Sequence, residues 1–368
     1  MRSQSPRYVL VLTALALAAL TAPLARAEEM SAEQRKAVQK GLDWLVKNQH
    51  RDGHWEAVGG QYPVTMTGIS GMAMLMEGST LREGKYKDNI RRAVDWLMAH
   101  SMPNGMLGNP NIPGEAGRYM YGHGFATLFL SSVVGEEEEG DRRRRLVDIL
   151  ERACKFSHAA QTNRGGWGYI SAKEGGNFDE GSVTITQVQA LRAARNAGII
   201  VPQDAIKMAQ KYLHDSTSAS GGVIYSLGQG GGGGAGSPAL TAAAISCGFS
   251  FGDYNSPLIK KWFKFCQQHL HVGVGAGRFG HHDEYTQYYF AQAVYILGEN
   301  GYTRLFPDSK ASERLTWSGY KKDNFQSIIQ AQASDGSWSG GMVGPNFITP
   351  VYLTILQLDN AALPIYQR

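Results

Sequence analysis

Lys40-Gly41-Leu42-Asp43-Trp44-Leu45 is followed by Gln49, Gly53 and Trp55, and those last three residues set the reading of the whole chain. The same spacing returns at Gln161, Gly165 and Trp167, and again at Gln332, Gly336 and Trp338. Three occurrences of Gln-x3-Gly-x-Trp are too many for chance, and self-similarity of this kind marks a repeat architecture. Weaker copies fill the gaps: Asn104-Gly105-Met106-Leu107 after Trp96, Ser220-Gly221-Gly222-Val223 after Tyr212, and Gly277-Arg278-Phe279 after Trp262. The anchors near 55, 107, 167, 223, 279 and 338 recur about every 55 residues, room for two helices and two loops. The chain therefore holds six units.

Each unit reads as helix, Gly-rich turn, helix. In the first half apolar residues fall at helical spacing, as at Leu42, Leu45 and Val46, with Lys and Gln between them. The second half carries almost no charge: residues 68–76, 183–194, 239–245 and 288–297 are examples. A helix without a polar face must be buried all round. Charged outer helices should thus alternate with buried inner ones. Neither end of the chain shows a polar cap, which an open solenoid would need. The predicted fold is all-α, an (α/α)6 toroid built as a double ring of six helical hairpins over residues 28–368.

The Gln-x3-Gly-x-Trp repeats resemble the QW motifs of the prenyltransferase and squalene–hopene cyclase repeat superfamily, across the whole chain after residue 33 or so. That resemblance implies the toroid fold and three possible chemistries. Cyclases of the superfamily protonate an alkene with Asp-x-Asp-Asp, and no Asp-x-Asp occurs here. They also use two such domains, and this chain has length for one. Prenyltransferase β subunits hold zinc with an Asp two residues from a Cys; Cys247 has Ile245 at that place and Cys154 has Arg152. Thioester domains need Gly-Cys-Gly-Glu-Gln, which is absent. The reading is a single-toroid member without the family catalytic motifs.

Arg2 and Arg7 precede a short apolar run over residues 8–20, and Ala25-Arg26-Ala27 offers a small-x-small cleavage site. Residues 1–27 read as a cleavable signal peptide, so the chain is expected to be secreted or periplasmic. Of the 36 basic residues three lie there, which leaves the rest nearly neutral against 32 acidic ones. With 18% charged residues this is no nucleic-acid binder, and no later stretch is long enough to span a membrane. A 43% hydrophobic content excludes disorder, and 3 cysteines cannot form a disulfide framework.

In such a ring the turns ahead of the inner helices meet at one mouth. This places Tyr62, Tyr121, His123, Glu180, His281, His282 and Tyr285 as candidate ligand-binding residues. Asp179 and Asp283 are the candidate catalytic carboxylates. Each also stands where a helix N-cap belongs, a structural role worth about 1 kcal/mol. As a pair from units two apart, they could face each other and serve acid–base work on a saccharide. Adjacent residues such as His281-His282-Asp283-Glu284 point in different directions and rarely chelate one ion, so no metal and no cofactor are expected. Residues 228–236 form a glycine-rich rim, and neither they nor residues 275–280 make a phosphate cradle. Two classes of function stay open: a binder of an isoprenoid, lipid or peptide, and an enzyme acting on a terpenoid or saccharide. A third is a docking scaffold.

Overall fold

Outer and inner helices alternate as the charge pattern predicts. The computed structural model describes residues 30–112, 114–228, 236–270, 283–341 and 343–367, with the side chain of Asp283 left out. The expected signal peptide, His281, His282, most of the glycine-rich rim and residues 275–280 lie outside the described residues.

The outer helices are α1 (Ala32–Asn48), α3 (Lys87–Ala99), α5 (Gly140–Ala160), α7 (Gln203–Asp215), α9 (Pro257–His269) and α12 (Trp317–Gln330). The inner ones are α2 (Pro63–Met76), α4 (Tyr119–Val133), α6 (Gly181–Asn196), α8 (Pro238–Phe251), α10 (Asp283–Leu297) and α13 (Pro345–Leu356); a short α11 (Gly301–Leu305) precedes α12. Each inner helix packs on the next in the order α2, α4, α6, α8, α10, α13, and α13 packs on α2. The first outer helix, α1, also touches α12 and α13. The ring is closed.

Composition explains the two layers. All fourteen residues of α2 are buried, and none is charged. Helix α1 buries only one stripe, including Ala37, Val38, Gly41, Leu42 and Leu45, and turns its Lys and Glu outward. Full burial of each Met, Leu or Ile side chain on the inner ring stabilises by roughly 1.5–3 kcal/mol.

The repeat motif is the seam between units. The Gln49 amide donates to the Gly53 carbonyl (2.8 Å) and to that of Asn89 on the next outer helix (3.0 Å). Gln161 does the same with Gly165 and Ala205, and Gln332 with Gly336 and Ala37. The last of these crosses from the sixth unit to the first. Each motif Trp is buried, and its indole N–H reaches its own outer helix: Trp55 to Leu45 O, Trp167 to Ser157 O, Trp338 to Ile328 O, at 2.6–2.8 Å. The motif glycine is required by space and by conformation. Gly165 has φ +96°, and a Cβ there would lie 2.1 Å from the Met208 carbonyl oxygen of α7.

The two ends of the ring are finished differently. At the C-terminal ends of the inner helices, the tail after α13 turns back over the ring, where residues 364–366 form a 3-10 turn against α6. Tyr366 is buried, and its hydroxyl meets that of Tyr288 on α10 at 2.9 Å. Nearer mid-ring, Gln189 of α6 and Gln292 of α10 bond to each other at 2.8 Å, although α8 stands between those helices in the ring. The central space is therefore bridged by side chains there and covered by the tail below. A crevice of about 30 Å³ at that end is lined by Gln189, Arg192, Ser246, Phe249, Gln292 and Ile365, room for about two waters. Cys154, Cys247 and Cys266 are all free and buried, and burial pushes the Cys154 thiol up to about 12.

Candidate functional site

The opposite mouth, at the inner helices' N-terminal ends, gathers the polar chemistry. Glu180 caps α6: its backbone is extended, and its carboxylate accepts the N–H groups of Ser182 and Val183, each at 3.0 Å. Four unpaired N–H groups and the positive end of the dipole make a helix start attractive to a carboxylate. Its backbone is tied as well, with Glu180 N–H donating to Trp167 O of the motif (2.9 Å). Glu180 is buried, and loss of water raises its pKa even against those donors and the hydroxyl of Ser182.

Around it stand tyrosines from four units. The Tyr121 hydroxyl donates to Glu180 (3.4 Å) and touches the Ser182 hydroxyl. The Tyr285 hydroxyl donates to Ser182 O at 3.4 Å. The hydroxyls of Tyr169 and Tyr225 meet, and the Arg118 guanidinium lies 4.7 Å over the Tyr169 ring. Burial raises the phenol pKa of Tyr121 and Tyr285, so both present neutral hydroxyls. Tyr225 is 45% exposed, which leaves this cluster reachable from solvent.

Of the residues expected at the mouth, Tyr121, Glu180 and Tyr285 come together here. Tyr62 sits half-buried at the head of α2 in a left-handed conformation (φ 53°), which for a non-glycine costs on the order of 1–2 kcal/mol. Asp179 departs from its expected place. Glu180 is the cap, and Asp179 is fully buried, accepting Leu227 N–H at 2.7 Å, Ser226 Oγ–H at 3.1 Å and Tyr212 Oη–H at 3.3 Å. Arg164 lies 3.5 Å from its other oxygen. These contacts fasten the next unit's loop. Asp283 opens α10, and the contacts of Asp179 run to α7, to the loop of the next unit and to Arg164.

His123 is a correction. It is buried, its Nδ1 accepts Leu107 N–H (3.1 Å), and its Nε2 meets Ser157 Oγ (2.9 Å), which donates in turn to Gln187. In other units a Thr holds this position: Thr67, Thr184 and Thr349 accept the N–H of Trp55, Trp167 and Trp338 at 3.0 Å, and Thr241 accepts that of Val223. His123 is the second unit's version of that brace. Burial lowers its pKa to about 4, and the accepted N–H fixes the neutral tautomer with hydrogen on Nε2.

Sequence reasoning missed Glu115. From the second unit's loop it accepts Val64 N–H at the head of α2 (2.8 Å) and Asn109 N–H (3.2 Å), and burial raises its pKa. A carboxylate that caps a helix of the preceding unit leaves no local spacing to read.

No model of a known protein family matches the sequence, and no curated protein matches it. Solved structures do. The GH76A alpha-1,6-mannanase of Salegentibacter sp. is similar over 89% of this chain and 99% of its own, at 10% identity and a TM-score of 0.54. The type II terpene cyclase MstE from Scytonema is similar over 91% and 100%, at 13% identity and a TM-score of 0.54. At such identities the likeness is one of fold: the chain shares the α/α toroid, with its central space, that these enzymes use.

Proposed function

We propose that the protein is an exported toroid that binds an amphipathic ligand, an isoprenoid or similar lipid with a polar head, at the tyrosine-lined mouth and releases it unchanged. The observation that carries this reading is the state of Glu180. Its carboxylate is committed to the start of α6 and raised in pKa by burial, which makes it a weak acid. Protonating an alkene demands a strong one. Rings of Tyr121, Tyr169 and Tyr285 offer apolar area, while their hydroxyls and that of Ser182 suit a polar head. A related ring offers a precedent, since MstE has been solved with geranylgeranyl dihydroxybenzoate.

The test is titration of the purified chain with geranylgeraniol and with alpha-1,6-mannotriose, read by tyrosine and tryptophan fluorescence and by mass spectrometry of the recovered ligand. Geranylgeraniol recovered intact, with affinity cut at least about tenfold by Tyr121→Ala, supports the proposal. Conversion of either compound refutes it. A second reading, a saccharide-cleaving enzyme, is favoured by one feature: a buried carboxylate of raised pKa has the character of a general acid. Mannotriose cleavage lost in Glu180→Gln would establish it.

A further inference from the structure

The turn after each outer helix has one backbone form in five units. Its first residue's N–H bonds to the carbonyl four residues on, and the fourth residue's N–H bonds back to the first carbonyl. The bonded pairs are His50 with His54, Met102 with Met106, Thr162 with Gly166, Ser218 with Gly222 and Ala333 with Ser337. Alternate positions through this turn are residues 50, 52, 54 and 56 in the first unit. Only the first unit fills four of them in succession with ligating types: His50, Asp52, His54 and Glu56.

Their side chains converge. One Glu56 oxygen lies 3.6 Å from His50 Nε2, and the other lies 3.4 Å from His54 Nε2. One ligand atom from each of the three falls within 4.8 Å of the other two. Asp52 takes the Nδ1–H of His54 at 2.6 Å. That contact fixes the tautomer whose Nε2 lone pair is free, the arrangement by which carboxylates orient metal-binding imidazoles. The support is rigid on two sides. The His54 ring stacks on Trp96 at 4.9 Å, and the Glu56 carbonyl accepts Asn346 Nδ2–H at 2.6 Å. His50 stacks on His54 at 4.2 Å and is exposed, so a modest swing can bring its lone pair round.

We propose that His50, His54 and Glu56 form a three-ligand site for a divalent transition metal, zinc first, with Asp52 as its positioning residue. Two imidazoles and a carboxylate suit zinc over magnesium or calcium. Three protein ligands leave a fourth position for water or a substrate oxygen. The motif turn supplies the rigid frame, and the first unit alone adds the chemistry.

The experiment uses the purified chain with zinc and then cobalt, reading bound metal per chain and the visible cobalt spectrum. One equivalent is expected, with a tetrahedral cobalt spectrum. His50→Ala and Glu56→Gln, at surface positions that spare the fold, should each weaken binding at least about tenfold, and Asp52→Asn about ten- to a hundredfold. The double variant His281→Ala, His282→Ala should leave it unchanged. Unchanged affinity in both His50→Ala and Glu56→Gln, no zinc bound at micromolar concentration, or binding lost only in the double variant would each overturn the assignment.

Discussion

The two ends of the ring are made from the same six helices and are held by opposite chemistry. At the mouth, free N–H groups are met by carboxylates: Glu180 at α6 and Glu115 at α2. At the closed end, free carbonyls are met by side-chain amides. Gln34 donates to Leu356 O at 2.6 Å, Gln357 to Ala73 O at 3.1 Å and Asn360 to Met76 O at 2.8 Å. Helix polarity imposes this sorting, because one end offers donors and the other acceptors. The consequence is functional. The mouth is titratable and open to solvent, whereas the other end is amide-bonded and covered by the tail.

The largest break in that comparison is removal of the cover. Truncation after Asn360 strips away Leu363 and Tyr366, both buried. The expected loss is about 3–5 kcal/mol, seen as a fall in Tm by calorimetry that is the same at pH 5 and pH 8. A truncated chain that melts like the full one would show that the tail merely rests on the ring.

The buried brace at His123, by contrast, should respond to acid. Its folded pKa of about 4 lies below the ordinary 6.5, so the unfolded chain takes up the proton first. Stability is then complete above about pH 6.5, falls as pH drops towards 4, and levels off below. The span corresponds to up to about 3 kcal/mol. His123→Thr installs the brace of the other units and should flatten urea-derived stability across that window, at some cost from the smaller side chain. Persistence of the same acid-linked loss in the variant would assign it elsewhere.

Glu180→Gln gives a smaller effect with the opposite pH sign. Losing part of the cap should cost about 1 kcal/mol. The folded pKa of Glu180 is raised above 4.5, so the folded state holds that proton longer and wild-type stability falls as pH climbs from about 4.5 through the folded value. The glutamine variant lacks this term, and its deficit should shrink over the same rise. Urea titrations at several pH values measure the gap; one that widens with pH would contradict the burial argument.

The ring itself was legible because its signals are periodic: charge-free inner helices, and Gln, Gly and Trp residues whose roles are backbone geometry repeated at fixed spacing. The site was legible only in part. Tyr121, Glu180 and Tyr285 follow from helix starts. The brace did not, because its distance from the motif varies, twelve residues from Trp55 to Thr67 but seventeen from Trp167 to Thr184, so His123 looked like a mouth residue. Asp179 and Glu180 are neighbours, and only the loop of the next unit decides which one caps. The first-to-last junction is sealed by Gln332, Gln357 and Asn360, while residues 364–366 pack on α6 and Tyr366 meets Tyr288 of α10.

The finest test of the sorted ends is Gln34→Leu. Gln34 is buried, and its amide is the donor that the structure sets against the last carbonyl of α13. Leucine keeps most of the volume and removes the donor, which leaves Leu356 O without that bond in a water-poor seam between the first and last units. The expected cost is about 1–2 kcal/mol, the penalty of an unmet buried acceptor, and it should not vary between pH 4 and pH 8, because an amide does not titrate. Hydrogen exchange should rise in α1 and α13 while the amides of Ser182 and Val183 keep their protection. Exchange rising equally at both ends would mean that the ring opens as one unit, and the chemical sorting of its ends would then carry no mechanical independence.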